Sequence, residues 1–74
     1  MIFMSEWNLI EEYTNKTLVS YPTWRRGQTL FNVVADLHPN VAEQIRATTY
    51  DCFYDDGKID IFKTEVIRLL NNGE

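Results

Sequence analysis

The sequence predicts an all-α fold, a compact single domain of about four helices with an aromatic loop between helices three and four. Apolar residues recur at three- and four-residue steps in several segments, as they do along one face of a helix. Proline and turn signals separate these segments. Hydrophobic residues make up 45% of the 74 residues and aromatic residues 14%. This is enough for a hydrophobic core and argues against disorder.

The first helix is predicted from about Glu6 to Val19, with Ser5 as its N-cap. Tyr21-Pro22 ends it, because the residue before a proline avoids the helical region. Five residues form a rough stripe at helical spacing: Trp7, Ile10, Tyr13, Thr14 and Leu18.

The second helix is predicted from about Trp24 to Leu37, with Thr23 as its N-cap. Its apolar stripe is wide, which indicates the central helix of the domain. Gly27 lies inside it and costs about 1 kcal/mol relative to alanine. We therefore expect the backbone of another element to approach closely at Gly27.

Pro39 predicts the start of a short third helix, because proline suits the first helical turn. Asn40 with Glu43 is an alternative start, as a capping box. The helix is predicted to end near Thr48-Thr49, where two β-branched residues lower helix propensity.

Residues 50–58 read as a loop with a turn at Asp55-Asp56-Gly57, and a fourth helix is predicted from about Asp60 to Asn71. The loop contains three aromatic residues and Cys52. Because a solvated loop would be less apolar, we expect this one to lie across the core as a lid.

Composition argues against several classes of function. The single cysteine, Cys52, allows neither an intramolecular disulfide nor a zinc site built from several thiolates of one chain, and it favours the cytoplasm. No segment has the pattern of a signal peptide or a membrane span. The net charge of −4 disfavours general nucleic-acid binding.

Neither a metal site, a cofactor nor catalysis is expected. Asp56-Gly57-Lys58 resembles the centre of an EF-hand loop, but Cys52, Tyr54 and Lys63 then occupy positions that need oxygen ligands. Cys52 and His38 are the only candidate nucleophile and base, and the sequence shows no third group to orient them.

The pattern as a whole resembles a family of small uncharacterised proteins encoded by bacteriophages, prophages and bacteria. The resemblance covers about residues 21–66 and implies a helical domain in a phage or prophage setting, within the cytoplasm of a bacterial host. Members often have glycine where this chain has Ala47 and proline where it has Cys52. The residues that match the family pattern are Arg26-Gly27-Gln28, Leu30-Phe31-Asn32, Pro39, Ala42, Ile45-Arg46, Thr48, Asp51, Phe53, Tyr54, Asp56, Ile59 and Phe62.

Polar residues from residue 24 to residue 56 form a candidate partner-binding surface. Arginine and tryptophan side chains are common in protein interfaces. The structural alternative is that Arg46 binds Asp51, Asp55 or Asp56 and pins the loop, that the arginines of the second helix pair with Glu11 or Glu12, and that Gln28 caps a neighbouring element. The predicted surface consists of Trp24, Arg25, Arg26, Gln28, Arg46, Asp55 and Asp56.

The favoured function is a protein-binding module that occludes or modulates a host or viral protein. Two alternatives stay open at this point. One is nucleic-acid binding through Arg25, Arg26 and Arg46, and the other is a structural or self-assembling component.

Overall fold

A computed structural model describes residues 2–72 of the chain, with side chains from Glu6 onward. Within this range the secondary structure is helical, which confirms the predicted all-α fold with four helices. A single turn of 3-10 helix precedes the last of them, at Asp56–Lys58. The four helices are α1 (Ile2–Ser20), α2 (Arg26–Leu37), α3 (Pro39–Ile45) and α4 (Ile59–Asn71).

The helix starts differ from the predicted ones at α1 and α2. Because α1 begins at Ile2, Ser5 lies inside the helix and is not its N-cap. Helix α2 begins at Arg26, and Arg25 is the N-cap with an extended backbone. Trp24 precedes the helix because its amide donates to the Tyr21 carbonyl at 3.0 Å and closes a turn. The prediction that Thr23 caps this helix is therefore wrong.

Helix α3 starts at Pro39 as predicted but ends at Ile45, earlier than expected. Arg46 has an extended ψ of 129°, and Ala47 has a positive φ of 63°, so the chain turns away before the two threonines. The Thr48 side chain then donates to the Ile45 carbonyl at 2.6 Å. Thus the left-handed turn, rather than the low propensity of the threonines, ends the helix.

The core is built around α2, which packs against α1, α3 and the 3-10 turn, while α4 contacts α1 and α3. Three aromatic rings meet at its centre: Phe62 contacts both Trp7 and Phe31, with ring centroids 6.3 and 6.0 Å apart. Tyr13 belongs to the apolar stripe of α1 but is 45% exposed. The buried apolar residues are Trp7, Ile10, Leu30, Phe31, Val33, Val34, Val41, Ala42, Ile45, Cys52, Phe62, Val66, Leu69 and Leu70.

The loop between α3 and α4 covers the core only in part. Cys52 is fully buried and Phe53 is half-buried, whereas Tyr50 and Tyr54 are 42% and 84% exposed. The predicted lid is therefore anchored by two residues and turns two tyrosines outward. None of the helices in residues 2–72 is both long and apolar enough to cross a membrane.

Replacing Phe31 with alanine should destabilise the fold strongly, because Phe31 is 2% exposed and contacts aromatic rings from the loop and from α4. We expect a loss of roughly 3–5 kcal/mol in the free energy of unfolding, measured by urea denaturation. Val19→Ala, at a position 81% exposed, is the control and should change it by less than about 0.5 kcal/mol. A Phe31→Ala melting temperature within a few degrees of the parent's would show that α2 is not central.

Candidate functional site

The start of α2 and the loop cross at Gly27 and Cys52. A Cβ atom at Gly27 would lie 2.3 Å from the Cys52 carbonyl oxygen, far inside van der Waals contact. This confirms the prediction that another backbone approaches the helix at Gly27. The Cys52 thiol in turn donates to the Gly27 carbonyl at 3.3 Å. The crossing therefore requires glycine on the helix, and the buried Cys52 side chain adds a hydrogen bond from the loop.

Asp56 and Arg25 secure the same crossing from outside. One Asp56 carboxylate oxygen accepts the Gly27 amide at 2.9 Å, in the first turn of α2, where a negative charge is stabilised by the helix dipole. Arg25 donates through its guanidinium to the Phe53 carbonyl. Its Nε lies 3.9 Å from Asp56, in an exposed and therefore weak ion pair. We call Arg25, Gly27, Cys52 and Asp56, with the Phe53 carbonyl, the loop clamp.

The clamp explains why arginine is tolerated at the start of α2. A positive charge there opposes the helix dipole. In this fold the Asp56 carboxylate sits between the helix N-terminus and Arg25, and it interacts favourably with both. The local conflict is thus compensated within the chain, and Arg25 has a structural role.

Two further carboxylates hold the loop in shape. Asp51 accepts the Ala47 amide through one oxygen and the Phe53 amide through the other, each at 2.8 Å. Asp55 accepts the Gly57 amide at 2.8 Å and caps the 3-10 turn. These carboxylates bind backbone amides of their own loop, as Asp side chains commonly do in turns.

Arg46 does not pin the loop, so the prediction that it binds Asp51, Asp55 or Asp56 is wrong. Its Nε lies 3.5 Å from a Glu43 oxygen, one turn earlier on α3. Its guanidinium carbon lies 5.1 Å from the Phe31 ring centroid, in cation–π geometry. The side chain is 54% exposed. Arg25 makes the loop contact expected of Arg46 because α3 ends early and the loop returns toward the start of α2.

The other predicted surface residues also have local partners. Gln28 accepts the Arg25 amide through its side-chain oxygen at 3.4 Å, a long contact that caps α2. Arg26 donates to the Asn15 side chain at 3.0 Å, and not to Glu11 or Glu12. Trp24 stacks on Tyr21, with ring centroids 4.4 Å apart.

A groove opens beside the loop, with a volume of about 550 Å³. Ligand sites in proteins commonly have volumes of roughly 300–1,000 Å³. Phe31 and Phe53 meet edge to face within it, with ring centroids 6.0 Å apart, and Tyr54 packs against Phe53 at 4.7 Å. Two cations, Arg46 and Lys58, also line the groove, as do Ala47 and Thr48 and the two carboxylates of Asp51 and Asp55.

Sequence reasoning identified only Arg46 and Asp55 among the groove residues as surface candidates. Tyr54 and Lys58 were missed as functional candidates, although the aromatic composition of the loop was a signal for Tyr54. The loop clamp decides which loop side chains are buried. Because the loop is irregular, its sequence has no periodic pattern that predicts this.

Cys52 and His38 engage different partners. The pKa of the Cys52 thiol is raised to about 12, first by burial and then by the neighbouring charge of Asp51. The thiolate that would act as a nucleophile is therefore strongly disfavoured at neutral pH. His38 forms a contact of 2.5 Å between its Nε2 and a Glu6 oxygen, which ties α1 to the junction of α2 and α3.

We predict that Gly27→Ala destabilises the protein by roughly 1–3 kcal/mol in a urea unfolding experiment. The added methyl group meets the Cys52 carbonyl at 2.3 Å, so the crossing must open. Alanine's higher helix propensity offsets only about 1 kcal/mol. At Gly57 the closest atom to an added Cβ is the Asp55 side chain at 3.0 Å. Gly57→Ala is the matched control, and equal losses in both variants would contradict the proposed crossing.

Replacing Ala47 with glycine should stabilise the protein by roughly 0.5–1 kcal/mol. Ala47 has a φ of 63°, in the left-handed region that costs a non-glycine residue about 1–2 kcal/mol. The greater freedom of glycine in the unfolded chain removes part of this gain. The melting temperature should rise by a few degrees, whereas Ala35→Gly inside α2 should lower it. A drop for Ala47→Gly would contradict the turn geometry.

No family model, curated protein or solved structure matched this chain when it was compared with each of these groups. The features that can support a functional proposal are therefore the loop clamp and the groove beside the loop.

Proposed function

We propose that this chain is a small acidic accessory protein of phage or prophage type, which binds a host or viral protein and occludes or modulates it. The observation that supports this most directly is the exposed aromatic groove. Tyr54 is 84% exposed beside Phe53, on a loop that the clamp fixes in place. Tyrosine at a preorganised position is a frequent anchor of protein interfaces.

The contact surface we propose differs from the one expected from sequence. Arg25, Gln28 and Asp56 stabilise the start of α2 and the loop, so their effect on a partner would be indirect. Arg46 and Asp55 belong both to the expected surface and to the groove. The proposed interface is therefore centred on Tyr54 and Arg46, with Trp24 and Arg26 outside its centre.

Occlusion is the mechanism that this geometry favours. The groove side chains can hold an apolar side chain of a partner against Phe53 and Tyr54 while Arg46 contacts a polar group beside it. A domain with dimensions of 33 × 24 × 19 Å would then cover the partner surface around that anchor. No chemistry on the partner is needed for this effect.

Nucleic-acid binding receives less support from the same contacts. Arg25 and Arg26 donate to the Phe53 carbonyl and to Asn15, which leaves Arg46 as the more available of the three arginines. The net charge of −4 also repels a phosphate backbone at long range.

The test is affinity capture from a bacterial lysate, followed by mass spectrometry, with the parent protein and a Tyr54→Ala/Arg46→Ala variant. We expect at least one protein that the parent captures and this variant loses. Truncation of a central tyrosine commonly costs 2 kcal/mol or more, so the affinity for the identified partner should fall about 30-fold or more.

Tyr13→Ala/Lys16→Ala is the matched control, since it removes one tyrosine and one cation from the exposed face of α1. It should capture the same protein as the parent. Equal capture by the groove variant would move the interface elsewhere on the chain. An absence of any specifically captured protein would count against a protein-binding role.

A further inference from the structure

We infer that the groove recognises an acidic peptide segment of its partner, in which a carboxylate side chain lies next to an aromatic one. This inference rests on the proposed protein-binding function and specifies the chemistry of the ligand. It follows from three features of the groove: the ion pairing of its cations, the hydrogen bonding of its carboxylates and the arrangement of its aromatic rings.

The two cations of the groove can donate hydrogen bonds to a ligand. Among residues 6–72, Lys58 forms no ion pair within 4.0 Å. Arg46 pairs through Nε with Glu43, at 3.5 Å, and both side chains are more than half exposed. Such exposed pairs one turn apart are weak, so a partner's carboxylate can compete for Arg46.

Arg46 is suited to a carboxylate ligand. A guanidinium presents parallel N–H groups that match the two oxygens of a carboxylate. The guanidinium carbon of Arg46 lies 5.1 Å from the Phe31 ring centroid. Because this contact limits the side chain's freedom in the free protein, less conformational entropy is lost on binding.

The two carboxylates of the groove are committed to the loop. Both oxygens of Asp51 accept backbone amides, and Asp55 accepts the Gly57 amide. The lining therefore has a formal balance of zero. Both oxygens of Asp51 and one of Asp55 are held by backbone amides, whereas Lys58 forms no ion pair among residues 6–72 and Arg46 only an exposed one, so a ligand's carboxylate can bind these two cations.

The aromatic rings of the groove favour a ligand with an aromatic side chain next to its carboxylate. Phe53 meets Phe31 edge to face and Tyr54 packs against Phe53 at an angle of 63°, with Tyr54 open to solvent. An incoming aromatic side chain can extend this series of edge-to-face contacts, which stabilise aromatic pairs beyond the area that they bury. An aromatic residue adjacent to Asp or Glu satisfies both parts of the groove.

The test is selection from a library of random peptides displayed as N-terminal fusions, so that no peptide has a free carboxyl terminus. The targets are the parent protein and the charge-reversed variant Arg46→Glu/Lys58→Glu. We expect the parent to enrich peptides with Asp or Glu beside Phe, Tyr or Trp, and the charge-reversed variant to lose them. A synthetic copy of an enriched peptide should bind this variant at least about tenfold more weakly than the parent.

Lys16→Glu/Arg68→Glu has the same net charge as the reversed variant but alters α1 and α4, away from the groove lining. It should keep the parent affinity to within about twofold, because exposed charges outside the site act weakly. If the reversed variant fails to fold, Arg46→Gln/Lys58→Gln should show the same loss. Enrichment of basic or neutral peptides, equal binding by all variants, or no enrichment would each overturn the inference.

The two proposals can fail separately. If a lysate protein is captured through Tyr54 and Arg46 while the selected peptides are not acidic, protein binding stands and the acidic specificity falls. If no protein depends on the groove and no peptide is enriched, both fall. Binding of an oligonucleotide that competes with an enriched peptide would show that the groove recognises anions in general, and would also overturn the peptide specificity.

Discussion

The close crossing of two backbones at Gly27 and Cys52 determines how this small domain is arranged. The loop supplies both partners of Gly27 through side chains: the Cys52 thiol donates to the Gly27 carbonyl, and the Asp56 carboxylate accepts the Gly27 amide. A 74-residue chain has little apolar surface to bury, so a long irregular segment needs specific anchors to stay ordered. The crossing provides such anchors at the start of the central helix, where amides without an intrahelical partner are available.

The groove is a consequence of this anchoring. With Cys52 buried and the Phe53 carbonyl bound by Arg25, Phe53 is held edge to face against Phe31 and the next residue, Tyr54, turns outward. Most of the polar residues near the loop are used to hold it. Exposed aromatic rings and the two cations that do not hold the loop, Arg46 and Lys58, are what remains for a partner to contact.

The sequence predicts the helices well because their apolar periodicity is local, and Gly27 predicts a close approach because a glycine inside a helix is costly. It does not predict which element approaches, or which arginine meets the loop. Arg25 and Arg46 have the same chemistry, and the choice depends on the positive φ of Ala47, which ends α3 early. In a sequence, a left-handed residue is usually indicated by glycine. Because position 47 is alanine, the sequence gives no sign of the turn.

Because Arg25 and Asp56 hold the loop, binding data on their variants need a structural interpretation. Removal of Arg25 or Asp56 would loosen the loop and so disturb Tyr54 even if neither residue touches a partner. Loss of binding in those variants would therefore not locate an interface. Arg46 and Tyr54 have no hydrogen bond or ion pair to the clamp residues within residues 6–72. Their replacement separates recognition from folding, because the loop can keep its conformation while the groove loses its charge or its exposed ring.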